Sequence, residues 1–342
     1  MGFIENDTAR TILSLAVMLT AGFLVTRVTK RLHLPNVTGY ILAGILIGPC
    51  VFGLIPADMI GGMGFVTDIA LAFIAFGVGK YFKWAQLKKS GWKILILTGC
   101  ESLAAGILVT LTMIFVFRLS VPFSLLLGAI GSATAPASTI MTIRQYRAKG
   151  PFVNLILQVV ALDDAVALLA FSACAAVTQA MEGGGASASD VYLPILYNLG
   201  ALVLGAAAAF LLHWLVDGKR SSDHRLALTI AIILALTGLC SAFNISPLLS
   251  CMLLGTVYIN VGGNKQLFKQ VNKFTPPVLM LFFVLAGLGL HLPSLATAGV
   301  IGVVYFFVRI LGKYAGAFAG AKICGYAPRI QKCLGLALIP QA

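Results

Sequence analysis

Long apolar runs separated by short basic loops fill this chain from end to end, and they leave it one kind of fold. Spans are predicted at about 9–31, 36–55, 64–82, 92–117, 121–146, 151–181, 191–217, 226–243, 245–261, 274–291 and 296–322, with a twelfth beginning near Leu334. A helix rises about 1.5 Å per residue, so most of these runs are long enough to cross a hydrocarbon core of about 30 Å. A transmembrane barrel would instead show alternating segments of about ten residues. Composition points the same way: 59% of residues are hydrophobic and 10% charged, against about 25% charged in a soluble globular domain. The expected fold is all-α and polytopic, a single transmembrane domain over residues 1–342.

The net charge of +13 resides between the spans. Alternate loops hold Arg27, Lys30 and Arg31; Lys80, Lys83, Lys88, Lys89 and Lys93; Arg144, Arg147 and Lys149; Lys219, Arg220 and Arg225; Lys265, Lys269 and Lys273; and Lys322, Arg329 and Lys332. The opposite side has Arg10 and Arg118, and Arg309 and Lys313 fall within a span. By the positive-inside rule the N-terminus is outside and each basic loop cytoplasmic. Basic residues distributed in this way mark topology and give no soluble face for nucleic acid. Cys50, Cys100, Cys174, Cys240, Cys251, Cys324 and Cys333 show no CxxC spacing, so neither a disulfide framework nor a metal cluster is indicated. Glu5 and Asp7 stand where a signal peptide would be basic, so the first apolar run is expected to remain as a span.

Within the run 151–181 lie two adjacent acids, Asp163 and Asp164. An ionisable group at bilayer depth costs about 3 kcal/mol or more, so such residues face a partner or cavity and commonly mark an ion or proton path. Neighbours on a helix point about 100° apart, so the two acids have different surroundings: one can bind an ion while the other meets a counter-charge. Desolvation and a nearby cation act on a carboxyl in opposite directions, which allows proton release to be linked to cation binding. An oxygen-lined site suits a small hard cation. The counter-charge candidates are Arg309 and Lys313, one turn apart on one face; an arginine keeps its proton, whereas a buried lysine can lose it. Glu101 is a further intramembrane acid, as a site residue or as half of a structural pair. Asp68 falls near an outer helix end, where it would be solvated, and His33, His213, His224 and His291 are expected at interfaces. Gly312, Gly316 and Gly320 recur every four residues and would let another helix approach closely.

A weak internal repeat is also present. The segment from Tyr40 to Gly48 reads like Pro247 to Gly255, and Phe73 to Gly79 like Phe283 to Gly289. The paired copies run in opposite directions through the membrane, which divides the chain into repeats of about 1–181 and 191–342, the inverted arrangement of secondary transporters. Aligning them matches the segment Ser132-Ala133-Thr134-Ala135-Pro136-Ala137 to Leu338-Ile339-Pro340-Gln341-Ala342, each with a proline inside its span. Proline removes a backbone donor and disfavours helix at the residue before it, so both spans are candidates for broken helices lining a cavity. Because a helix end in mid-membrane would leave its carbonyls unpaired, the remainder of this span and one more are expected beyond Ala342.

Gly39-Tyr40-Ile41-Leu42-Ala43-Gly44-Ile45-Leu46-Ile47-Gly48-Pro49, Thr134-Ala135-Pro136-Ala137-Ser138-Thr139 followed by Arg144 and Lys149-Gly150-Pro151, Ala161-Leu162-Asp163-Asp164, and Arg309-Ile310-Leu311-Gly312-Lys313 together resemble the bacterial monovalent cation:proton antiporters of the second family, in the sodium/proton exchanger superfamily. The resemblance covers essentially the whole chain. It implies a thirteen-span inverted-repeat fold, about twelve of whose spans are present, with crossed broken helices, a dimerisation bundle beside a mobile core, and elevator-type alternating access by a homodimer. It further implies that Asp164 binds the ion and the proton, that Asp163 pairs with Arg309 or Lys313, and that Asp164, Asp163 and Thr134 supply oxygens to the transported cation. Adjacent acids resemble the electrogenic branch, and Ala135 stands where some branches have an Asp.

The expected activity is therefore exchange of Na⁺ or K⁺ for protons, with no cofactor beyond the transported ions. A sodium-coupled symporter of an organic anion with the same fold, and a regulated potassium efflux system or accessory membrane subunit, remain as alternatives. An enzyme is not indicated: the sequence offers no nucleophile with a base, metal cluster or phosphate loop.

Overall fold

The computed structural model describes residues 6–32, 34–84, 91–181, 188–216, 221–243 and 245–340. His33, Lys88, Lys89, Lys219, Arg220, Gln341 and Ala342 lie outside the described residues. The described elements are all helices: α1 (Asp7–Arg31), α2 (Asn36–Ile47), α3 (Ala57–Gly62), α4 (Gly64–Gly79), α5 (Trp92–Phe115), α6 (Val121–Ser132), α7 (Pro136–Gln145), α8 (Pro151–Met181), α9 (Ala188–Leu215), α10 (Ser222–Ala242), α11 (Pro247–Asn260), α12 (Lys265–Leu288), α13 (Leu292–Ile323) and α14 (Pro328–Ala337). Eight described segments are long and apolar enough to cross a membrane, and α2, α4 and α11 are shorter apolar helices. The chain is a multi-pass membrane protein.

Three boundaries differ from those read off the sequence. The run 36–55 is not one helix: Gly48 is extended (φ −72, ψ 174), because Pro49 disfavours helix at the residue before it. The chain then doubles back, and the amides of Phe52, Leu54 and Ile55 donate to the last carbonyls of α2. Secondly, Lys265, Lys269 and Lys273 lie in the first turns of α12 rather than in a loop. Leu267, Phe268 and Val271 are buried between them, an amphipathic spacing that hydropathy averaging scores as polar. Thirdly, the long α13 bends at Gly299, whose φ of 49 is accessible to glycine at little cost.

Two helix crossings bring backbones together. α2 meets α12 at Gly44 and Gly287, and α4 meets α11 at Gly79 and Gly255; a Cβ on Gly44 would lie 2.9 Å from the Gly287 Cα. One apolar cluster joins α1, α2, α4, α7, α8 and α12, and a second joins α4, α9, α10, α11 and α12. A third, with Ile94, Leu97, Val159, Val160, Ala317 and Leu334, fills the space between α5, α8, α13 and α14. It holds in register the helices that carry the buried charges.

Candidate ion-coupling site

The site begins with two interrupted helices. α6 stops at Ser132, and Ala133 (ψ 149) and Ala135 (ψ 103) are extended before Pro136 opens α7. Proline enforces this twice: it excludes Ala135 from helix, and its missing amide costs nothing at the first position of a new one. α14 ends at Ala337 with Leu338 as its C-cap, and Ile339 and Pro340 continue without helical structure. The amide of Ala135 donates to the Pro340 carbonyl at 2.9 Å. The two interruptions therefore touch; the matched prolines marked each one, and their meeting was implied by the resemblance alone.

Each interruption frees helix carbonyls, and Arg309 collects them. Its Nε donates to the Gly131 carbonyl at 3.0 Å, Nη2 to Ala133 at 2.6 Å and Nη1 to Ile339 at 2.7 Å. A helix C-terminus carries roughly half a negative charge, so one guanidinium, 1% exposed, roughly balances the ends of α6 and α14. Arginine suits this task because its planar fork directs several donors at fixed angles.

One turn further, Lys313 meets carboxylates. Its Nζ lies 2.9 Å from Oδ2 of Asp163 and 2.9 Å from Oε2 of Glu101, and donates to Thr134 Oγ1 at 2.9 Å and to the Ser132 carbonyl. Lys313, Asp163 and Glu101 are all fully buried. Oε1 of Glu101 and Oδ1 of Asp163 have no hydrogen-bond partner among the described residues. Gly316 makes the approach possible: a Cβ there would lie 2.7 Å from the Glu101 Cα, so only glycine lets α13 lie this close to α5. Gly312 and Gly320 extend the same contact.

Asp164 differs from its neighbour. It is half-buried and makes no hydrogen bond or ion pair with any described residue, though Asp163 and Lys313 lie within electrostatic range. The helix turn separates the two acids as expected, one engaged and one bare. Of the pairing left open by the sequence, Lys313 is the partner of Asp163, and Arg309 serves the carbonyls. Of the three oxygens expected around a cation, Asp163 Oδ2 and Thr134 Oγ1 both contact Lys313, leaving Asp164 free. Asp68 is half-buried in α4, away from these residues in sequence and element.

Sequence reasoning missed the carbonyls of Gly131, Ser132, Ala133 and Ile339, because a backbone acceptor leaves no side-chain signature; the prolines that free them were the available sign. It also missed Ser102, whose hydroxyl donates to the Ser132 carbonyl at 3.4 Å.

Two interrupted helices meeting at a buried cluster of opposite charges form the kind of arrangement from which secondary transporters build their sites. The chain belongs to the sodium/hydrogen exchanger transmembrane family, whose model matches residues 14–342. It is similar to the sodium proton antiporter MjNhaP1 of Methanocaldococcus jannaschii, with a TM-score of 0.76 and 20% identity over 98% of this chain and 85% of that one. Among curated relatives it is 24% identical to the ammonium/H⁺ antiporter subunit AmhT of Alkalihalophilus pseudofirmus, covering 80% of this chain and 69% of that protein. It is 22% identical to a glutathione-regulated potassium-efflux system protein of Haemophilus influenzae, covering 91% of this chain and 51% of that protein.

Proposed function

We propose that the protein exchanges a monovalent cation, Na⁺ or K⁺, for protons by alternating access, with Asp164 as the group for which the two compete. The observation that carries this reading is the bare carboxyl of Asp164 beside a cluster whose lysine already contacts two acids. A carboxyl without a partner at bilayer depth is stabilised by either a proton or a cation, and binding one displaces the other. Asp163 is the second, coupled proton group. When a cation enters, retreat of Lys313 would free Asp163 Oδ2 and Thr134 Oγ1 as further ligands. One ammonium between Glu101 and Asp163 leaves one negative charge over, which a shared proton offsets. Two proton-carrying groups per cation make the exchange electrogenic.

In the same reading the chain consists of inverted repeats of about 1–181 and 191–342, sits in a bacterial inner membrane with its N-terminus outside, and works as a homodimer. Proteoliposomes carrying an imposed pH gradient test the central role. Asp164→Asn is expected to abolish cation-dependent collapse of the gradient, and wild-type exchange by that variant would refute the assignment.

A further inference from the structure

At the end of the molecule where the lysine-bearing segments meet, a cavity of about 320 Å³ is lined by Lys80, Lys83, Lys265, Lys269, Tyr81 and Asn154, among others. Its walls come from four elements: the end of α4, the first turn of α8, the last turn of α11 and the start of α12. None of the four lysines has a carboxylate partner among the described residues; the ion pairs there are Arg10 with Asp7 and Asp58, and Lys313 with Glu101 and Asp163. Lys83 and Lys265 instead face each other, and burial together with the Lys265 ammonium lowers the pKa of Lys83 below its usual value.

Such an arrangement repels itself unless an anion fills it, and it is not the accident of a loose loop. Asn260 Nδ2 donates to the Phe82 carbonyl at 2.8 Å, and Asn260 Oδ1 accepts from the Trp84 amide at 2.9 Å. From the other side Gln158 Nε2 donates to the Tyr81 carbonyl at 3.0 Å. The segment bearing Lys80 and Lys83 is thereby tied to α11 and α8, while Lys265 and Lys269 stand one turn apart on α12. The lysines converge from fixed positions, with Tyr81, Ile259 and Phe268 giving one wall an apolar character.

We propose that this cavity is a binding site for a phosphate group, presented either by a free phosphorylated solute or by the head group of an anionic lipid. Several ammonium groups around one small volume suit a compact anion of more than one charge, and basic pockets between membrane helices are suited to lipid phosphates. The site is separate from the buried charges: Asn154 precedes Asp164 by ten residues of α8, about 15 Å along the axis.

The test uses the full chain purified in detergent, with inorganic pyrophosphate titrated against chloride at constant ionic strength and thermal unfolding as the readout. In parallel, the chain is placed in phosphatidylcholine nanodiscs with and without phosphatidylglycerol, and retained lipid is counted by native mass spectrometry. Saturable stabilisation by pyrophosphate, weakened at least tenfold in Lys83→Gln/Lys265→Gln and unchanged in Lys332→Gln, identifies a soluble ligand. Selective retention of phosphatidylglycerol, lost in the same double variant, identifies a lipid. If neither probe binds the wild-type protein, or if the double variant binds both as well as wild type, the proposal is overturned.

Discussion

Arg309 and Lys313 stand one turn apart on α13, both buried and both cationic, and their surroundings are opposite in kind. Arg309 faces three carbonyls, which cannot change charge; Lys313 faces two carboxyls, which can. The first is a clamp whose function is complete once the interrupted helices are joined. The second belongs to a set of groups among which protons can be redistributed. The difference teaches that a buried cation in such a chain is understood from the chemistry of its acceptors and not from its depth. In the same way, Asp163 and Asp164 are adjacent in sequence and separated in role by a rotation of about 100°.

The largest effect should follow from breaking the clamp. Arg309→Met leaves three buried carbonyls at the ends of α6 and α14 without a donor, and at about 1–3 kcal/mol for each a loss of about 3–5 kcal/mol is expected. Thermal unfolding in detergent should shift down by on the order of 5–10 °C. Arg309→Lys should recover only a minor part, because a single ammonium cannot reach three carbonyls in the same geometry. Equal stability of the lysine variant and wild type would show that charge alone is required.

Next in size is the coupling of Lys313 to Asp163. Lys313→Met strands two acids, but these can take up protons, so a smaller loss of about 2–3 kcal/mol is expected. The double variant Asp163→Asn/Lys313→Met should be more stable than the sum of its single changes by about 1–3 kcal/mol. Strict additivity of the two changes would contradict the pairing. Applied to Arg309 with Asp163, the same cycle should give a coupling below about 0.5 kcal/mol, which makes the contrast between the two cations quantitative.

Much of this was legible in the chain. The apolar runs marked most of the helices, Pro136 marked the interruption in the fifth run, and Gly312, Gly316 and Gly320 marked the face on which α13 meets α5. What the sequence could not rank was Arg309 against Lys313, since periodicity places both on one face and says nothing of what lies opposite. Carbonyls at an interruption have no side chain to read, and Glu101 joins the cluster only through the Gly316 contact between α5 and α13. Apolarity also overstated α2, because residues 48–55 are as hydrophobic as a helix while folding back upon one. At the start of α12 it erred the other way, where alternate lysines and buried side chains form an amphipathic helix that reads as a loop.

The smallest stability effect belongs to the second acid beside Lys313. Glu101→Gln keeps the shape and supplies a neutral group beside Lys313, and should change stability by less than about 1 kcal/mol. Its exchange activity is expected to persist with an altered pH profile, since one of the carboxyls around the lysine is gone. Abolished exchange at every pH would move Glu101 into the role given to Asp164.

The competition itself is read most directly from protons released on cation binding. Purified protein in a weakly buffered detergent solution receives Na⁺ or K⁺ at constant ionic strength while a pH indicator is followed. Wild type should release protons in a saturable manner, and Asp164→Asn, folded and as stable as wild type, should release none. Release of the same number of protons by Asp164→Asn as by wild type would place the exchange of cation for proton on another group and contradict the account.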